Sequence, residues 1–443
     1  MATLFERTAP PPPPLGPAEV AAPLAPQTLE ETGLSPAYVA DLTLKLLYQK
    51  GQTTAADISQ SLCLPLARIL DPVLDFLKAE YLVEVKGGVA AASASYIHVL
   101  TNRGAERAKE AIARNGYIGP APVTLPAYVK RVRAQSIGEL QISADDLRAA
   151  LSHLVLPERT LRQLGPAINS GRSIFLFGPP GTGKSSIAET LAGLLRGKIV
   201  LPYAILVGQQ IIRVYDPSRH VPLVELDARF DRRWVPVSRP FVEVGGELTL
   251  EDLDLAFEPT TQVHEAPFQM KANGGVLLID DFGRQRAAPD QLLNRWIVPL
   301  DRDVDFLTMN DGRKIDVPFD LLLVFATNRT PSSLVDEAFL RRIQYKIEIR
   351  PPTSAEFSEI LRRICAQRNI AFYPQAADWI AKYARTRGIA LRSCHPRDLM
   401  QHLDAAARFL GKPPEITAEL VQLACETYYV GLDDQATPGP ASP

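Results

Sequence analysis

Lys184 and Ser185 end the octapeptide Gly178-Pro179-Pro180-Gly181-Thr182-Gly183-Lys184-Ser185, and the chemistry such a run can do is phosphate binding. Apolar residues 173–177 precede it, and Ser186 opens a stretch with Ile187, Leu191, Leu194 and Leu195 after it. A strand, a glycine-rich loop and a helix are the setting a P-loop requires. Glycines let successive backbone N–H groups turn inward around a polyphosphate, and the helix N-terminus adds partial positive charge. Lys184 can then reach the β- and γ-phosphates, and the Ser185 hydroxyl can take a place on Mg²⁺.

Ninety-six residues after Lys184, the run Gly274–Ile279 leads into Asp280 and Asp281. An apolar strand ending in two acids suits a metal-holding carboxylate, Asp280, beside one that polarises an attacking water, Asp281. A third apolar run, 321–326, ends in Thr327 and Asn328. Open parallel sheets bind ligands at the carboxyl ends of their strands, so Asn328 is expected to face the nucleophilic water or the γ-phosphate. Arg341 and Arg342 follow thirteen residues later, and Arg397 sits in the run His395-Pro396-Arg397-Asp398. No histidine pair has metal spacing, and His220 and His264 read as structural.

Positioning these groups requires a large core, and the 443-residue chain has the composition for it: 46% apolar, 22% charged, formal charge −2. That charge gives no general reason to bind nucleic acid or acidic membranes. Cys63, Cys365, Cys394 and Cys425 lack a C-x-x-C spacing and read as buried thiols in a reducing compartment. No apolar run approaches the ~20 residues of a membrane span and no secretory signal is visible, so a cytoplasmic protein without membrane insertion is expected.

Residues 1–34, with Pro10 to Pro14 in a row, read as a disordered Pro-rich tether, and 433–443 as a disordered tail. Between 35 and 118 the pattern is a helix through Leu42, Leu44, Leu46 and Leu47, a second helix capped by Thr53-Thr54, and a third restarted at Pro72. Two alternating segments, 81–86 and 95–100, flank a Gly87-Gly88 loop, and a last helix follows Thr101. This is similar to a winged-helix domain. Residues 119–150 read as a connector with the basic stretch Lys130-Arg131-Val132-Arg133. From 151 to 352 strands alternate with helices, which implies an α/β fold around a parallel sheet. Residues 353–432 are helical throughout.

The stretch from 151 to about 430 resembles the AAA+ superfamily of P-loop ATPases. The order of elements carries the resemblance: Walker A (178–186), Walker B (Asp280, Asp281), sensor 1 (Asn328), arginine finger (Arg341 or Arg342) and a helical lid with sensor 2 (Arg397). It implies ATP and Mg²⁺ as ligands, hydrolysis of ATP to ADP and phosphate, and a homo-oligomer, most simply a hexameric ring. Two features depart from the family pattern. Asp281 stands where glutamate is commoner, so its carboxylate is one carbon short and hydrolysis is expected to be slow or to need closure. The Walker A to Walker B gap is also long, with the excess between Pro202 and Phe268.

Within that insert Trp234 and Phe241 have two readings, gripping a substrate or packing the insert's own core. Residues 303–317, with Asn310-Asp311-Gly312 at the tip, read as a β-hairpin just before the sensor strand. The span 35–115 holds nine Lys/Arg against eight Asp/Glu, a poor electrostatic footprint for DNA. Remodelling of an unidentified protein client, recruited by the winged-helix-like region, is therefore the first expectation. Remodelling of a nucleoprotein assembly is the alternative, and a nucleotide-gated scaffold without turnover is a third reading left open by Asp281.

Overall fold

Short polar caps decide where the helices of this chain begin. In a computed structural model, which describes residues 22–86, 95–195, 197–223, 226–334 and 340–430, Ser35, Thr54, Thr101 and Thr124 each accept a backbone N–H from the first turn of the helix that follows. Residues 1–21, the Gly87-Gly88 turn and the 433–443 tail lie outside the described residues. The chain divides into two compact units: 1–140, 195–278 and 285–323 form the first, and 141–194, 279–284 and 324–443 the second.

In the first unit, helices Pro36–Lys50, Ala55–Leu62 and Asp71–Ala79 bury Leu42, Leu47, Ile58, Leu74 and Leu77 in one cluster. Pro72 stands in the first turn of Asp71–Ala79, directly after a π-helical turn at Leu66–Leu70, where its missing N–H costs nothing. The strands Val83–Val85 and Gln52–Thr54 both pair antiparallel with Ile97–Leu100, which lies between them. The cluster does not close at residue 118. It continues into Ala121, Ala204, Ile211 and Val263, so this region shares its apolar interior with the insert. A region this small buries too little surface alone to be strongly stable, and the shared interior supplies the difference.

The insert is itself β-rich. Strands Ala204–Val207, Gln210–Arg213, Ala256–Glu258 and Val263–Glu265 join Val123–Thr124 in a five-stranded sheet. The segment 119–150 is thus more than a connector, since it also forms helices Leu125–Ala134 and Ala144–Ala150. Trp234 is buried with Tyr128, Met270 and Leu307, which settles its two readings in favour of the core. Phe241 opens the strand Phe241–Val244 and is half-buried. The expected hairpin is present, with Val304–Thr308 and Lys314–Pro318 in antiparallel register from Val304↔Pro318 to Thr308↔Lys314. His220 and His264 are buried and hydrogen-bonded to backbone groups. In this unit residues 276–278 lie beside Phe241–Val244.

In the second unit the order is Leu322–Thr327, Ser173–Phe177, Tyr345–Glu348, the last two parallel with Ile174 opposite Tyr345 and Phe177 opposite Glu348. Ile174, Phe175 and Leu176 are fully buried, as strands of a sheet covered on both faces must be. Rings of Phe175, Phe282 and Phe325 pack together with centroids 5.0–5.9 Å apart, Phe175 stacked on Phe325 and Phe282 edge-on to both. Four helices, Ser354–Gln367, Pro374–Thr386, His395–Phe409 and Ala418–Tyr428, pack around Phe357, Leu361, Ile380, Leu399 and Leu420. The architecture is α/β with a helical bundle, and among the described residues no helix is long and apolar enough to cross a membrane.

The bundle is entered through a capping box. Thr353 accepts the Glu356 N–H, and Glu356 accepts the Thr353 N–H at 2.8 Å. Arg350 grips both Glu356 oxygens at 2.7 and 2.8 Å and holds its pKa down from 4.5 to about 2. Thr353→Ala is expected to cost about 1 kcal/mol in chemical denaturation. A lowered folded pKa stabilises in full only above the unfolded value, and that stabilisation is lost as pH falls toward the folded one. The deficit of Glu356→Gln should therefore be complete at neutral pH and shrink below 4.5 toward about 2. A deficit that does not vary with pH would refute this coupling.

Candidate functional site

Gly178 turns the chain out of the Ser173–Phe177 strand at φ 144°, and a side chain there would lie 2.2 Å from the Ile349 carbonyl oxygen. The loop ends where helix Lys184–Leu194 begins. Lys184 is buried, and its ammonium donates to the carbonyls of Gly178 and Pro179, both at 2.9 Å, and to Asn328 Oδ1 at 2.7 Å. Burial pushes its pKa down, and the charges of Asp280 and Asp281 push back. Thr182 fastens the loop by donating to the Pro179 carbonyl at 3.0 Å.

The acidic strand end meets this loop. Ser185 donates to Asp280 Oδ2 at 2.8 Å, and Asp280 Oδ1 accepts the Asp281 N–H at 2.9 Å. Asn328 Nδ2 donates to Asp281 Oδ1 at 2.9 Å. An ammonium only donates and a carboxylate only accepts, so one orientation of the Asn328 amide serves both neighbours. Asp281 has φ 47°, a left-handed backbone that a non-glycine residue adopts at some cost. The surrounding bonds hold it there: Phe282 N–H reaches the Ala326 carbonyl, and Thr327 Oγ1 donates to the Phe282 carbonyl, each at 2.7 Å.

These groups line a cavity of about 620 Å³, within the range of small-ligand sites. Pro180 through Ser186, Asp280, Asp281, Asn328 and Arg397 all face it. Gly178 and Pro179 contribute the carbonyls that hold Lys184. Arg341 and Arg342 are not among its lining residues; they belong to the 340–343 turn that Lys346 holds through the carbonyls of Leu340 and Ile343. Leu154, Val155, Leu156, Ile360 and Ile364 add apolar lining to the cavity. A polyphosphate end joined to an apolar slot matches the two halves of a nucleotide.

Among the lining side chains that sequence reasoning missed are His153, Arg284, Arg363 and Cys394. His153 donates from Nδ1 to the Ala150 carbonyl at 2.9 Å. Arg363 donates to the Ser152 carbonyl at 2.5 Å and to Glu359 at 2.7 Å. Cys394, expected to be buried, is half-buried against the loop. Its N–H donates to the Gly181 carbonyl at 3.0 Å, and a Cβ on Gly181 would come within 2.5 Å of its sulfur. The one available signal was the run Leu154-Val155-Leu156-Pro157, apolar yet outside any helix or strand period.

The oxygens of Ser185 and Asp280 suit a hard divalent cation such as Mg²⁺. Among the described residues no group of three His, Cys, Asp or Glu side chains could cage a metal alone. Such an ion would thus need phosphate oxygens and water to complete its shell, which is how Mg²⁺ binds with nucleotides.

Residues 174–351 match the family model of the ATPase family associated with various cellular activities (AAA), and residues 353–427 match a domain of unknown function, DUF8689. No curated protein matches the chain. Among solved structures it is similar to the RuvB Holliday junction branch migration motor of Thermotoga maritima, at 20% identity over 67% of this chain and 72% of that one, with a TM-score of 0.35. It is also similar to NtrX from Brucella abortus in complex with ADP, at 16% identity over 71% of this chain and 64% of that one, with a TM-score of 0.38. The family match spans the same strands that carry the phosphate loop, the acid pair and Asn328, so residues 174–351 form an AAA-family ATPase domain.

Proposed function

We propose that the chain hydrolyses ATP with Mg²⁺ and uses the energy to remodel a protein complex. The observation that carries the ATPase reading is the closed network Lys184–Asn328–Asp281 beside Ser185–Asp280 at the polar end of one cavity. Lys184 binds the β- and γ-phosphates, and Ser185 with Asp280 holds the metal, which would neutralise phosphate charge as it develops. Asp281 orients the attacking water and accepts its proton as the γ-phosphorus–oxygen bond breaks. Asn328 fixes the direction of that carboxylate. Arg397, on the helical lid, meets the phosphate end of the nucleotide.

In this reading the protein works as a homo-oligomer, most simply a hexameric ring. Arg341 and Arg342 do not line their own chain's cavity, and one of them acts as a finger in a neighbour's site. The client is a protein. Of the nine Lys/Arg in 35–115, five are paired with acids: Lys78 with Asp75, Arg103 with Glu80, Lys109 with Glu106, and Arg107 and Arg114 with Asp41. Apolar Phe76 and Tyr81 are exposed on the same region, 55% and 76%. Phosphate-rich duplex DNA finds little there.

Lys184→Ala is expected to abolish ATP binding, measured by calorimetry, while Asp281→Asn binds ATP and fails to turn it over. Equal ATP affinity for wild type and the Lys184 variant would remove the foundation of the reading. Turnover per subunit should rise steeply with protein concentration. Arg341→Ala or Arg342→Ala should lose about 10³- to 10⁵-fold in rate and still bind ATP. Full turnover by a monomer at all concentrations would exclude the shared site. The full-length protein should bind duplex DNA no better than about 10⁻⁴ M at physiological salt. Sub-micromolar, sequence-dependent binding would replace the protein client with a nucleoprotein one.

A further inference from the structure

Arg397 has a long side chain, 65% exposed, in the first turn of helix His395–Phe409. An exposed arginine carries about 2 kcal/mol of rotamer entropy, so a guanidinium aimed at a cavity needs something to aim it. The first turn itself is anchored beside the phosphate loop by the Cys394 N–H to Gly181 carbonyl bond of 3.0 Å. The side chain is held separately. Asp398 Oδ1 accepts Arg397 Nε at 3.1 Å, and Asp398 Oδ2 accepts the Tyr428 hydroxyl at 2.9 Å. The hydrogen bond from Arg397 is donated by Nε, the inner nitrogen of the guanidinium.

Tyr428 closes helix Ala418–Tyr428, and its neighbour Tyr429 places its hydroxyl 3.2 Å from His395 Nδ1. Two consecutive tyrosines at the end of one helix thus fix the first turn of another. Burial, with Cys394 next, pushes the Tyr428 hydroxyl well above the ordinary phenol range, so it keeps its proton and can donate it to the carboxylate.

We propose that Asp398 and Tyr428 are positioning residues of the nucleotide site, holding the Arg397 guanidinium in the direction from which it meets the phosphates. The proposal rests on the ATPase reading above. It differs from simple fastening of two helices in one respect: its effect must pass through Arg397.

A double-mutant cycle tests that difference in the full-length protein. ATP affinity and kcat/KM for MgATP are measured for Tyr428→Phe and Asp398→Ala, each alone and each combined with Arg397→Ala. Hydrogen bonds to charged groups are worth enough that Asp398→Ala should lower kcat/KM on the order of tenfold, with Tyr428→Phe losing less. In the Arg397→Ala background each loss should shrink to less than about twofold, because the group being positioned is gone. A loss of equal size in both backgrounds, or wild-type kinetics for Asp398→Ala, overturns the proposal. Should Asp398→Ala fail to fold, Tyr428→Phe removes a single oxygen and carries the test. A wild-type chain that cannot bind ATP overturns both readings, whereas one that turns over ATP with an additive cycle overturns this one alone.

Discussion

The site depends on one buried ammonium. Lys184 brings a positive charge out of water, and that cost is tolerable only because three oxygens receive its three protons. Two of those oxygens are carbonyls of the loop, so the same charge that will meet phosphate also shapes the loop that will hold it. The third belongs to Asn328, which passes the constraint to Asp281. Strand end, loop and acid pair are therefore coupled through a single side chain. Replacing that side chain would leave carbonyls and carboxylates facing one another without a counter-charge.

The same coupling accounts for the short acid. An aspartate reaches one carbon less far than the commoner glutamate, yet Asp281 is not a passive shortening. Its backbone stands at φ 47°, and the Asn328 amide fixes its carboxylate on the side of the Lys184 ammonium. Strain of this kind persists only where surrounding bonds over-determine it. Here the Phe282 and Thr327 bonds do so from the chain on either side.

Most of this site was legible in the sequence because it is local. A glycine-rich loop between a strand and a helix, or two acids at the end of an apolar run, is written in consecutive residues. Pro180 to Ser186, Asp280, Asp281 and Asn328 are legible that way, Arg397 only through the family resemblance, and all reach one cavity. His153, Arg363 and Cys394 were not legible, because each faces the cavity through a tertiary arrangement with no period of its own. Trp234 shows the complementary limit. Alternation places it on one face of a strand, but only packing against Tyr128 and Met270 says that the face is interior. The boundary at 118 failed to mark a closed core for the same reason: a composition break in the chain does not require a break in the packing.

A buried ion pair explains why the insert and the residues before it are one structure. Arg233 is held by Asp231 at 2.8 Å, with both side chains 5% exposed, and it also donates to the carbonyls of Thr32 and Pro122 at 2.9 and 3.3 Å. A charge pair taken out of water this far must have its remaining protons satisfied. The backbone segments that satisfy them come from the start of the described chain and from the stretch that reads as a connector. Asp231-Arg232-Arg233-Trp234 looks in sequence like a charged loop ending in an aromatic. In the fold it ties Thr32 and Pro122 to the insert, while Trp234 enters the core beside Tyr128. The long insertion between the two phosphate-binding motifs is thus anchored, through Arg233, to the backbone that precedes it within its own unit.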